Sequence, residues 1–114
     1  MNTLEIARAI LTNLSEKKAE NLLLLDIHDI SSFTDYFIIC SGTSERMINS
    51  LAESVAETAK GEFKLNARKE GFSSEGWQVV DLGDIVVHLF SPDQRDYYRL
   101  EQLWVEGKIL LHLQ

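Results

Sequence analysis

Three groups of residues in this chain are of types that could do chemistry. The first is Gly42-Thr43-Ser44 in "FTDYFIICSGTSERM", where a buried strand runs into a helix start. That is the geometry with which proteins hold a phosphate on helix N-terminal amides. The stretch lacks both the spaced glycines of a dinucleotide loop and the Gly-Lys-Ser/Thr ending of a P-loop. The second group is the lone Cys40 with His28, His88 and His112. A histidine could activate the thiol as a nucleophile, but no third orienting residue is evident, and no ligand-like spacing suggests a metal. A single cysteine in an apolar strand is usually a small core residue. The third is Asp81 with Asp84, close enough to mimic an acid/base pair but flanking Gly83, where turn chemistry and rim charge are the simpler roles.

A strand ending in Gly-Ser or Gly-Thr before a helix also resembles the nucleotidyltransferase fold. Those enzymes place paired carboxylates on a neighbouring strand to hold metal against a triphosphate. Here the segment after the helix reads "FKLNARKEGF", with no Asp-x-Asp. Without metal ligands, developing phosphate charge has little to stabilise it. Thr43 or Ser44 then reads as a helix cap.

The elements that must position these residues follow from periodicity. Leu4, Ala7, Leu11 and Leu14, widened by Ile10, predict an amphipathic helix capped by Asn2, with Glu5 completing a capping box. "NLLLLDI" and "YFIICS" are short apolar runs that predict buried strands. A second helix carries Ile48, Leu51, Ala52, Val55 and Ala59 on one face, with Gly61 expected as its left-handed C-terminal residue. A short edge strand fits near Phe63 to Ala67. "WQVVDL" and "DIVVHLF" then predict a hairpin through Gly83-Asp84. Ser91 and Pro92 open a last helix with Tyr97, Leu100 and Trp104 on one face, and "KILLHL" closes the chain as a strand or docked tail. The order predicts one α/β domain over residues 1–114, with a single mixed sheet flanked by helices.

A two-residue hairpin loop puts Gln78, Val80, Leu82, Ile85, Val87 and Leu89 on one face, which reads as core. Trp77, Val79, Asp81, Val86, His88 and Phe90 share the other. Two arrangements satisfy that second face. Either it is a protein-binding surface with an aromatic centre and a charged rim, or Trp77 and Phe90 pack under the last helix while Asp81 and His88 point to water.

The chain has 114 residues, 45% of them hydrophobic and 25% charged, as in ordinary globular proteins. No apolar run approaches the roughly 20 residues a membrane span needs. The start, "MNTLEIARAIL", has no basic lead-in or small-residue cleavage site, and with one cysteine a cytoplasmic location is expected. Eleven basic against eighteen acidic residues give a formal charge of −7, which disfavours nucleic acid and favours a basic partner.

"DISSFTDYFIICSGTSER", "EGWQVVDLGDIVVHLF" and "RDYYRLEQLW" together resemble the signature stretches of the Iojap family, the bacterial and organellar ribosomal silencing factors. The likeness runs from about Asp26 to Trp104. It implies a nucleotidyltransferase-like α/β fold without catalytic carboxylates, no cofactor, no enzymatic activity and possible homodimers when free. It also implies docking on the basic large-subunit protein numbered fourteen, which blocks joining of the small subunit and damps translation when nutrients are scarce. Organellar relatives act in large-subunit assembly. By the same resemblance the partner-binding residues are Trp77, Asp81, Leu82, Gly83, Asp84, His88 and Tyr98, with Leu82 projecting past the sheet edge. Lys60, Lys64, Arg68 and Lys69 form a basic cluster that could touch ribosomal RNA or simply be solvated. Alanine at Thr43 or at Ser44 is expected to cost cap stability only. Loss of silencing in a folded variant of either kind would return the Gly-Thr-Ser turn to candidacy as a ligand site.

Overall fold

The computed structural model describes residues 2–29, 31–32, 34–98 and 108–113. The chain order is α1 (Thr3–Glu16), β1 (Glu20–Asp26), β2 (Tyr36–Ser41), α2 (Glu45–Phe63), β3 (Arg68–Phe72), β4 (Trp77–Asp81), β5 (Ile85–Phe90), α3 (Pro92–Tyr98) and β6 (Lys108–Leu113), with a 3-10 turn at Ser73–Glu75. The six strands form one sheet in the order β3-β4-β5-β2-β1-β6. Only β2 and β5 pair in parallel; the other neighbours are antiparallel, so the sheet is mixed, as the sequence predicts.

The apolar runs are buried on both faces. Leu22, Leu24, Ile38, Cys40, Val80 and Val87 point to the side where α1 and α2 lay their stripes. Leu23, Leu25, Phe37, Ile39, Val86 and Phe90 form a second cluster on the other side. This second face is closed over β1 and β2 and opens toward β4, where Trp77, Val79 and Asp81 are only half-buried.

Local chemistry explains the joins. Asn2 caps α1, its side chain accepting from Glu5 N at 2.9 Å. Ser44 caps α2 by accepting from Met47 N at 3.0 Å, whereas the Thr43 hydroxyl meets only the Met47 sulfur. A Cβ on Gly42 would lie 2.9 Å from Ile48 Cγ1, so the glycine is explained by the close approach of α2 over the strand end. At the far end α2 runs past Gly61 to Phe63, and Lys64 takes the left-handed position expected of Gly61, with φ 56°. Leu65 N then bonds Ala59 O at 2.9 Å, and Leu65 and Ala67 turn back against the core. The longer helix displaces the expected edge strand from 63–67 to Arg68–Phe72. Ser91 caps α3, accepting from Gln94 N at 3.3 Å. Buried Arg95 in that helix donates to Asn21 O and to Ser41 Oγ, tying α3 to the β1–β2 end. Leu100 and Trp104 lie outside the described residues, as do the side chains of Tyr97 and Tyr98. No described helix is long and apolar enough to cross a membrane.

Two glycines of α2's neighbourhood should respond oppositely to alanine. A Cβ at Gly61 meets nothing within 4 Å, so Gly61→Ala should raise unfolding free energy by about 0.5–1 kcal/mol. Gly42→Ala should lower it by about 1–3 kcal/mol through overpacking on Ile48. Urea unfolding measures both; equal effects at the two positions would contradict this packing.

Candidate functional site

The hairpin turn sets the site. Asp81 pairs with Val86, Leu82 N bonds Ile85 O at 2.9 Å, and Gly83 has φ +93°, which favours glycine. Asp81 Oδ1 accepts from Gly83 N at 2.8 Å, while the Asp84 carbonyl accepts from both Asp35 N and Tyr36 N at 3.0 Å. The turn is thereby closed on itself and tied to the start of β2.

With that register, Trp77, Val79, Asp81, Val86 and His88 face one concavity of about 400 Å³, joined by Phe37 from β2 and Glu70 from β3. The Trp77 ring lies nearly parallel to Phe90 (centroids 5.6 Å apart, 13° between planes) and to His88 (6.4 Å, 21°). Phe37 meets His88 edge-on at 4.7 Å. His88 is only 8% exposed, and neither ring nitrogen has a hydrogen-bond partner among the described residues. Burial pushes its pKa down to about 4, against the opposing pull of the Asp81 carboxylate, so the imidazole is neutral at physiological pH. Buried nitrogens without a partner beside an aromatic wall are stabilised by a group that supplies or accepts hydrogen bonds there.

The expected site residues do not all converge. Trp77, Asp81 and His88 share the concavity, while Gly83 and the exposed Asp84 sit at the turn beyond its end. Leu82 lies on the opposite face, 7% exposed in the cluster beneath α1 and α2. Strand alternation prevails there, and Leu82 does not project past the sheet edge. His88 does not point to open water either; the neighbouring rings enclose it. Tyr98 ends the described part of α3, and its side chain is outside the described residues. Phe37 and Glu70 are members that the sequence did not signal. They enter through the pairings Phe37↔Val86 and Glu70↔Val79, and strand order is not written in local pattern.

The other chemical candidates separate in space. Cys40 is fully buried in the helix-side core, with its thiol pushed up to about 12 by burial, and His88 lies across the sheet from it. His28 is held by Asp26 and Asp29, and its pKa is raised chiefly by the bond to Asp26. His112 Nε2 lies 3.0 Å from Asn21 Oδ1. Beside Thr43 and Ser44 the surface carries Glu45, Glu75 and Asp93, three carboxylates that would repel a phosphate. The basic cluster also divides. Arg68 contacts Glu70 (3.2 Å) and Asp81 (3.8 Å), while its neighbour Lys69 reaches Glu53 on α2 (3.3 Å), across the sheet.

A family model described as "Ribosomal silencing factor during starvation" (RsfS) matches residues 1–112. The chain belongs to the RsfS family. It is 39% identical over 109 residues to the ribosomal silencing factor RsfS of Bacillus subtilis, covering 96% of this chain and 92% of that protein. Its fold superimposes on a crystal structure of a protein from Chromobacterium violaceum with a TM-score of 0.86 at 35% identity, covering 92% of this chain and 88% of the other. A crystal structure of a protein from Bacillus halodurans matches with a TM-score of 0.77 at 37% identity, covering 90% and 95%. The chain thus combines one mixed six-stranded sheet with membership of a family of translation regulation.

The buried neutral His88 should leave a signature in acid. An unfolded chain's imidazole takes up its proton near its ordinary value of 6.5, whereas the folded one does so only near 4. Its contribution is full above about pH 6.5 and falls away as the pH drops toward 4. In urea unfolding, the stability lost by the wild type between pH 7 and pH 5 should exceed that lost by His88→Gln by about 2 kcal/mol. Identical losses would show that His88 is not buried neutral.

Proposed function

We propose that this RsfS-family chain is a cytoplasmic, non-enzymatic silencing factor. It binds the large ribosomal subunit through the basic protein numbered fourteen and sterically blocks joining of the small subunit, repressing translation under nutrient limitation. The observation that carries this reading is the family match over residues 1–112. The geometry supports it. The open face offers Trp77 as an aromatic anchor with Asp81 and Glu70 at its rim, and the net charge of −7 favours a basic protein over ribosomal RNA. Asp84 and Gly83 extend the surface along the turn, and Tyr98 belongs to it by family resemblance. An interface of ordinary size, about 800 Å² per side, suffices for a stable complex, and exclusion needs nothing further from the chain.

Two finer readings go with this. We infer that the strand ending at Gly42-Thr43-Ser44 before α2 belongs to a nucleotidyltransferase-like fold without its carboxylate pair. We also infer that free chains pair into homodimers through the outer edge of β6, where Ile109 and Leu111 are 63% and 39% exposed.

Sedimentation of purified subunits at matched magnesium tests the proposal. The protein should migrate with the large subunit and lower the joined-ribosome peak. Binding with an undiminished joined peak would instead indicate an assembly role, and binding to neither subunit would refute the proposal. Trp77→Ala should weaken large-subunit binding by about 2 kcal/mol or more. Asp81→Lys should impair it more than Asp81→Asn, because a lysine adds repulsion from a basic partner. Normal binding by folded Trp77→Ala, or equal binding by the two Asp81 variants, would remove those residues from the interface.

A further inference from the structure

Register places a cation of the chain's own at the mouth of the concavity. Arg68 pairs across the ladder with Asp81, and Glu70 with Val79, so all three long side chains lie on the open face. The Arg68 Nε is 3.2 Å from Glu70 Oε1, and its Nη2 is 3.8 Å from Asp81 Oδ2. Asp81 is held by its other oxygen on Gly83 N, which presents Oδ2 to the rim in a fixed direction. Arg68 itself is 75% exposed, so this contact is a screened surface pair that is easily exchanged. Deeper in the concavity lies the His88 ring, more than nine-tenths buried, with neither nitrogen hydrogen-bonded among the described residues, and beside it the Trp77 ring. Carboxylates at the rim, an unpaired imidazole beneath them and an indole in the wall together complement a planar, donor-rich cation. The same carboxylates oppose a phosphate.

We propose that the concavity bounded by Trp77, Glu70, Asp81 and His88 receives one cationic side chain of the protein partner, with a guanidinium as the best fit. Arg68 is the intrachain cation that holds the rim until the partner's displaces it. The identity of the partner rests on the proposed function; the chemistry of the pocket does not. Arg68 thereby acts against binding, the opposite of a contact to ribosomal RNA, and its removal should tighten the complex. Lys69 is the internal control, since it carries the same charge one residue on and is paired with Glu53 across the sheet.

The test compares affinities for purified large subunits at one salt concentration. Arg68→Gln should bind about two- to fivefold more tightly than wild type, the range set by a surface ion pair. Lys69→Gln should show no gain, and Arg68→Gln should bring no gain when Glu70→Gln and Asp81→Asn are both also present. Equal or weaker binding by Arg68→Gln would overturn the proposal, as would an equal gain in Lys69→Gln, which would indicate net charge alone. A second arm needs no ribosome. The free chain is titrated with N-acetyl-arginine methylamide or its neutral citrulline counterpart, followed by amide NMR. Shifts at Trp77, Val79 and His88 should appear with arginine only and at lower concentration in Arg68→Gln. Their absence, or equal shifts with citrulline, would overturn the pocket chemistry. Arginine-specific shifts in a chain that binds no subunit would leave the pocket standing and refute the ribosomal partner.

Discussion

The register of the β4–β5 hairpin is the constraint on which the site depends. Side chains alternate along a strand, so a slip of one residue would send Trp77, Asp81 and His88 under the helices and bring Gln78, Leu82 and Leu89 to the open face. The two-residue loop at Gly83-Asp84 prevents that slip. The Asp81 side chain closes it on Gly83 N, and the Asp84 carbonyl ties it to Asp35 and Tyr36. Because β5 pairs with β2 in parallel, the same turn aligns Phe37 with Val86 and completes the aromatic wall. A short polar turn thus sets both the packing beneath the helices and the chemistry opposite.

The sheet solves a packing problem unequally on its two sides. Apolar runs in β1 and β2 bury both faces, whereas β4 alternates, so the covering thins out toward β4 and β3. What is left there is a shallow aromatic recess with carboxylates at its edge, on a chain with a net charge of −7. A surface of this kind can bind, and a bound body can exclude another. The proposed function by occupancy asks no more of the chain than such a surface and a net charge that favours a basic partner.

Much of this was legible in the sequence because it is local. The stripes of α1 and α2, the caps at Asn2, Ser44 and Ser91, and the turn at Gly83-Asp84 rest on neighbours within four residues. The division of hairpin side chains between two faces came from strand period alone, and it put Leu82 on the face where the structure buries it. The end of α2 was misjudged because glycine is a good C-terminal signal but not an obligatory one. Once Leu65 could turn back into the core, Lys64 took the left-handed position. That error alone moved the expected β3. The enclosure of His88 and the recruitment of Phe37 and Glu70 depend on strand order, which pairs residues about fifty and nine positions apart and leaves no periodic trace.

Oxidative footprinting of the chain, free and bound to purified large subunits, reports which face of the sheet the subunit covers. Binding through the open face of β4 predicts that the half-buried side chains of Trp77 and Val79 become protected, while Met47 and Leu4 on the helix side keep their free reactivity. Protection of the helix side with Trp77 unchanged would contradict it, and would move the binding surface to the other face of the sheet.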